Sequence, residues 1–172
     1  MQKPFSFYLS AFALITLLAF GLNACTRNPG LQGKGELALQ GEWQQDSVPK
    51  EKLLTDYSLY TIKFSCDSFF IQIRNFSKVN NGPDTCTRSG RWTEYVKGNY
   101  EQRNDTLHVK GQYCNRDYTI KDPGGCFQSG IYEEYFKLQK HNDSLLEFDG
   151  ASSLQPVIAR LVKRSTCNPK PL

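Results

Sequence analysis

No C-x-x-C, H-E-x-x-H, G-x-S-x-G or G-x-x-x-x-G-K-[ST] occurs in the sequence, and its two histidines, His108 and His141, lie far apart. A zinc site draws on closely spaced thiolates or a histidine cluster, so no metal site is expected. Thioredoxin-like exchange lacks its motif, and neither histidine has an obvious nucleophile beside it. No run of five like charges is present and the formal net charge is +4. That balance is too mild to argue for nucleic acid. Beyond the first 24 residues there is no hydrophobic run of membrane-spanning length. Long amphipathic helical patterns are missing too; "VPKEKLLTDY" (48–57) is the one stretch with the pattern of a helical turn. No motif implies a cofactor.

The N-terminus reads as a secretory signal over residues 1–24. Lys3 supplies the positive start, "FSFYLSAFALITLLAFGL" the apolar run, and polar sequence follows at once. Leu22-Asn23-Ala24-Cys25 resembles the lipobox of bacterial lipoproteins. The resemblance implies cleavage before Cys25, a diacylglycerol thioether on its sulfur and acylation of the new amine. Two or more acyl chains hold firmly, at ~0.8 kcal/mol per buried CH₂. Thr26, rather than an acidic residue, follows the cysteine. The resemblance therefore implies outer-membrane sorting, with the periplasmic face favoured and surface display the alternative. Residues 25–37 then form a lipidated tether: Pro29 and three glycines resist helix and strand. Such a segment spans about 20 Å root-mean-square.

Five of the six cysteines remain once Cys25 is lipidated, and an odd number in an oxidising compartment leaves at least one free or pairing between chains. The expected pairs are Cys66–Cys86 and Cys114–Cys126, each closing a loop between neighbouring strands. Cys126–Cys167 competes with the second pair; otherwise Cys167 is left over in the tail, residues 166–172.

Residues 38–165 read as an all-β domain. Period-two alternation recurs in "LALQGEWQQ", "SLYTIKFS", "FFIQIRNF", "RWTEYVKGNYEQR", "TLHVKGQY", "GIYEEYFKLQ", "SLLEF" and "PVIARLVKR". Gly98 inside its segment suggests a bulge or kink. Three connectors, "CDSF" (66–69), "NDTL" (104–107) and "NDSL" (142–145), place Asp before a hydroxyl residue and a hydrophobic strand. Asn and Asp tolerate left-handed backbone and bond their own main chain, so these are hairpin turns. Eight consecutive antiparallel strands with one apolar side close most naturally into an up-and-down barrel, which removes exposed edges; a two-sheet β-sandwich is the alternative. The long loops are 77–89 and 115–129.

Gly41-Glu42-Trp43 on the first strand resembles the G-x-W of the lipocalin and wider calycin group. Lipocalins also lay an Arg from the last strand across that Trp. The resemblance implies a structural plug of Gly41, Trp43 and Arg160, with Arg164 the other candidate, and a ligand toward the opposite mouth. The long first loop of lipocalins is only partly present at 46–57, and no C-terminal helix is evident. As a whole the chain also resembles small bacterial lipoproteins labelled fumarate hydratase. That activity is not carried over, because no fumarase motif matches and the chain is too short for fumarase folds.

Aromatics are abundant. Tyr60, Trp92, Tyr100, Tyr113, Tyr132 and Phe136 are candidate walls for a small apolar ligand; the same residues could equally fill a solid barrel. Glu94 and Glu134 share parity with large apolar neighbours. If that side faces inward they are polar anchors for a ligand or acid/base groups, since buried carboxylates are costly unless paired; otherwise they form salt bridges or face solvent. Asp105-Thr106-Leu107 and Asp143-Ser144-Leu145 resemble the acceptor for O-glycans in some periplasmic lipoproteins, with Thr106 and Ser144 as acceptors. The function expected is therefore a membrane-anchored, lipocalin-like binder of a small apolar molecule, or a non-catalytic envelope module. The alternatives are a protein-interaction or inhibitor lipoprotein acting through its long loops, and an enzyme using Glu94 or Glu134.

Overall fold

A computed structural model describes residues 31–79, 84–87, 90–124, 126–151 and 155–171. Cys25 and the signal segment lie outside these residues. Eight strands run in chain order: β1 Gly41–Gln44, β2 Asp56–Ser65, β3 Ser68–Ser77, β4 Arg91–Arg103, β5 Thr106–Cys114, β6 Ile131–His141, β7 Leu145–Gly150 and β8 Val157–Arg164. Each pairs antiparallel with the next, and β1 also pairs with β8, so one sheet closes on itself rather than splitting into two. "VPKEKLLTDY" contributes a single 3₁₀ turn, Glu51–Leu53.

Short turns gather at one end, the floor. β2–β3 and β4–β5 turn through two residues each, with positive φ at Cys66 (57°) and Asn104 (55°). At the third turn the Asn142 Oδ1 accepts the N–H groups of Ser144 (3.0 Å) and Leu145 (2.7 Å). All three expected Asp-Ser/Thr connectors are thus floor turns. The longer loops meet at the other end, the mouth.

Period-two alternation places one side of every strand inward. Trp43, Ile62, Phe64, Phe69, Ile71, Val96, Leu107, Val109, Phe136, Leu146, Phe148, Val157 and Ala159 form the buried core. Burying each large side chain contributes about 1.5–3 kcal/mol. Trp43 is fully buried and its indole N–H donates to the Leu39 carbonyl at 2.7 Å.

Arg164, not Arg160, lies across this indole, with its guanidinium carbon 5.4 Å from the ring centroid. Its nitrogens also donate to the carbonyls of Ala38 (2.7 Å) and Asp143 (2.6 Å). The register explains the exchange. Arg160 sits opposite Gln44 and shares its outward side, where it pairs with Asp46. Arg164 sits opposite Gly41, past a β-bulge at Glu42/Trp43. Gly41 has φ 142°, and a side chain there would strike the Lys163 backbone.

The disulfides also differ from expectation: they are Cys66–Cys167, with Cα atoms 4.7 Å apart, and Cys86–Cys126, at 5.5 Å. Cys114 is buried and free. Cys66 is in a floor turn and Cys86 in a mouth loop. The ten-residue β3 between them spans roughly 33 Å, far beyond the ~7 Å that a disulfide tolerates. Cys126 is bonded to Cys86, while Cys114 bridges Ile120 and its thiol donates to the Gln112 carbonyl at 3.2 Å. The tail is tied down through Cys167, and residues 32–37, read as tether, are held to the floor. Gln32 N–H donates to the Lys170 carbonyl (2.9 Å), Gly33 N–H to Asp67 (2.8 Å) and Glu36 N–H to the Tyr100 hydroxyl (3.0 Å).

Gly98 neither bulges nor breaks the ladder, which runs unbroken from Arg91 to Arg103. It faces Gly111 across β4–β5, so close that a side chain on either would strike the partner strand's backbone. Gly98→Ala or Gly111→Ala is therefore expected to cost about 1–3 kcal/mol by overpacking, read by denaturant unfolding; neutrality at both positions would refute the close approach. Peptide mapping without reduction should recover Cys66–Cys167 and Cys86–Cys126, with Cys114 alkylated only after unfolding. A Cys66–Cys86 peptide would contradict the fold.

Candidate ligand-binding site

Near the floor the inward side chains exclude water almost completely. Toward the mouth they do not. Tyr60 on β2, Glu94 on β4, Tyr113 on β5, and Tyr132 and Glu134 on β6 all share the inward side yet stay half-buried. Tyr60, Tyr113 and Tyr132 pack on the core from above, and the Tyr113 and Tyr132 rings meet edge to face with centroids 5.6 Å apart. Inward residues of a closed sheet that keep solvent contact mark the space that water enters from the mouth.

The five groups are near enough to shift one another's ionisation. Burial first, then the Glu94, Tyr60 and Glu134 groups, pushes the Tyr113 hydroxyl up to about 12. Tyr60 is raised by burial, then by the charges of Glu134 and Glu94. Tyr132 is raised further, by burial, Tyr60, Glu134 and Tyr113. All three phenols are therefore neutral near neutral pH. Glu94 is held in place: Asn75 Nδ2 donates to one oxygen (3.1 Å) and the Gln128 N–H to the other (2.9 Å). Asn75 is itself oriented by the Ser58 hydroxyl, which donates to its Oδ1 at 2.6 Å. Glu134 accepts the Tyr135 N–H at 3.1 Å.

Gln128 belongs to the loop that crosses the mouth. In the same loop Phe127 stacks on Trp92 with centroids 6.0 Å apart and planes 6° from parallel. Cys126, beside it, is bonded to Cys86 of the β3–β4 loop. Two mouth loops are thus cross-linked next to the cluster.

Two expected wall residues lie elsewhere. The Tyr100 hydroxyl is part of the floor: it donates to the Cys66 carbonyl (2.8 Å) and accepts from Gln40 Nε2 (2.9 Å). Phe136 is 3% exposed and packs on Phe148, inside the core. Thr106 and Ser144 sit at floor turns, Ser144 exposed and Thr106 half-buried. Among the described residues no group of three or more His, Cys, Asp or Glu is arranged to hold a metal.

Gln45 belongs to the site and escaped the sequence reading. It is 1% exposed, and its backbone N–H donates to the Tyr60 carbonyl at 2.8 Å, which places it opposite that tyrosine. Its Nε2 donates to the Pro156 carbonyl at 3.4 Å, while its Oε1 has no hydrogen-bond partner. The signal was present: Gly41, Trp43 and Gln45 continue one alternation. Gln128 had no such signal, because it acts through its backbone.

Comparison with protein-family models, with curated proteins and with solved structures gives no match.

The tyrosine shifts set a pH dependence. A phenol raised in the folded state contributes stability that is fully present below its ordinary value of 10.0 and is lost as pH rises through the folded value, about 12 for Tyr113 and Tyr100. Stability should therefore fall with rising pH across that window. In an ultraviolet titration of the folded protein, Tyr100, Tyr113 and Tyr132 should ionise last, assigned by Tyr→Phe variants. A single transition near the ordinary value for all nine tyrosines would contradict the cluster's burial.

Proposed function

We propose that the chain is a lipocalin-like lipoprotein, anchored to the outer membrane through lipid on Cys25 and facing the periplasm, that takes a small, mainly apolar ligand into the mouth end of its closed sheet. The observation that carries this reading is the half-buried inward wall of Tyr60, Tyr113 and Tyr132 above a fully buried core. An apolar wall with a few convergent polar groups is the usual make-up of a small-molecule site. G-x-W at Gly41–Trp43 and an Arg across the indole support the lipocalin likeness. Gln32 and Gly33 are hydrogen-bonded at the floor, the end opposite the mouth. Both Glu94 oxygens are engaged by neutral donors and burial keeps the three phenols neutral, so binding is favoured over catalysis.

A second reading is kept for one observation. The Cys86–Cys126 bond joins the two long mouth loops into one cross-linked surface, the kind of rigid contact surface a protein partner favours.

Gentle detergent extraction from bacterial membranes followed by native mass spectrometry distinguishes the two. The binding reading predicts a small non-covalent adduct lost on denaturation, and a Cys25→Ser protein that partitions into the soluble fraction. A stoichiometric protein partner with no small adduct would favour the second reading. An unlipidated Cys25 in the membrane-derived protein would overturn the anchor.

A further inference from the structure

The outer face of the ring carries aromatic rings among its polar groups. On β2 and β3, Thr61, Lys63, Phe70 and Gln72 alternate with the inward Ile62 and Ile71. The register sets Thr61 opposite Gln72, and Lys63 opposite Phe70 on one side and Glu42 on the other. Tyr118 reaches this face from the loop after β5, carried back by a tight turn. Its N–H donates to the Asn115 carbonyl and the Asn115 N–H to the Thr119 carbonyl, each at 2.9 Å. Tyr118 itself takes a left-handed φ of 62°, uncommon for a bulky residue. Its ring meets Phe70 at 5.2 Å and Tyr95 at 5.8 Å between centroids, nearly perpendicular to both. Glu42, Thr61, Lys63, Phe70, Gln72 and Tyr118 enclose a cleft of about 260 Å³. A second cleft, of about 350 Å³, shares Phe70 as a wall and adds Ser68, Asn99 and Gln112.

Each lysine of the two clefts has a carboxylate near it. Lys63 faces Glu42 across β1–β2, and Lys110 pairs with Glu133 at 3.1 Å. Asp117, held low first by the Thr119 hydroxyl and N–H, also feels the Lys97 charge. Neither sign of ligand charge is therefore favoured. The other polar side chains are amides and hydroxyls, which both donate and accept. A peptide strand cannot add here through its main chain, because the closed sheet offers no edge. We infer that these clefts bind a neutral oligosaccharide, with one pyranose against Phe70 and Tyr118 and the chain continuing past Phe70 into the second cleft. A pyranose has a C–H face and a rim of hydroxyls. The C–H face rests on the aromatic rings. Thr61 and Gln72 meet hydroxyls in the first cleft, and Ser68, Asn99 and Gln112 in the second. The exposed Lys63 ammonium, 6.0 Å from the Phe70 centroid, completes the rim as a donor. The first cleft is smaller than the ~300–1,000 Å³ of drug-sized pockets, which suits one sugar ring. The site lies outside the ring and is independent of the mouth.

The test is an NMR titration of the full folded chain with three tetrasaccharides: cellotetraose, chitotetraose and tetragalacturonate. At least one of the two neutral sugars should bind saturably, with a Kd of ~1 mM or below, and more tightly than the acidic one. Amide shifts should gather at residues 61–63, 70–72 and 117–119. Tyr118→Ala should weaken that affinity about 10-fold through the lost aromatic contact. Gln72→Ala should weaken it about 3- to 10-fold, the loss of one hydrogen bond. The inference is overturned if neither neutral sugar binds saturably, or if tetragalacturonate binds as tightly. Shifts gathered at Tyr60, Tyr113 and Tyr132 instead, or an affinity unchanged in both variants, would overturn it too. Gln72 is outward and half-buried, so its variant serves if Tyr118→Ala fails to fold, and the shift map of the unmodified protein decides in either case.

Discussion

The Gln40 side chain is the tie on which the rest of the molecule depends. It is 1% exposed, its Nε2 donates to the carbonyls of Cys66 (2.9 Å) and Glu36 (3.1 Å) and to the Tyr100 hydroxyl (2.9 Å), and its Oε1 accepts the Cys66 N–H (2.7 Å). One buried amide thus joins the N-terminal segment, the β2–β3 turn and β4. Such a group costs free energy when left unpaired, so satisfying both its ends specifies one arrangement. Around it, Trp43 plugs the ring, Arg164 covers the indole, and Cys66–Cys167 holds the tail. The floor is closed by side chains, by backbone and by a covalent bond.

A closed floor frees the other end. The apolar core and the floor bonds already hold the strands together, so the mouth carries polar groups that a fully packed interior would exclude. Glu94 and Glu134 sit there beside three tyrosines whose hydroxyls burial keeps neutral. The cross-linked loops reach the same cluster through Gln128 and Phe127. The packed core and covalent ties thus gather toward the floor, and the polar groups and cross-linked loops toward the mouth.

Strand number, strand order and the three floor turns were legible because alternation and Asn/Asp turn chemistry are local. Glu94 and Glu134 share parity with Val96 and Phe136, but which side of their strands faces inward was left open by the sequence and is set by the closed sheet. Height along the ring was not legible. Tyr100 and Tyr113 look alike in sequence, yet one belongs to the floor and the other to the mouth, because that depends on strand tilt and register. The disulfides failed for the same reason. Cys66 and Cys86 are neighbours along the chain but stand at opposite ends of β3. Arg164 takes the place expected of Arg160 because a one-residue bulge in β8, at Val162, shifts its pairing with β1. The N-terminal segment looked like a tether from its glycines and proline. Its hold comes from partners more than thirty residues away, such as Asp67 for Gly33, which local composition does not report.

Amide hydrogen exchange of the native protein, followed residue by residue by NMR, tests the division into a rigid floor and an open mouth most directly. Amides around the floor, in Ile62–Phe64, Phe69–Ile71 and Val96–Tyr100, should exchange only through global unfolding. Those at the mouth ends of β5 and β6, near Tyr113 and Tyr132, should exchange through smaller local openings. Equal protection at both ends, or the greater protection at the mouth, would contradict the account.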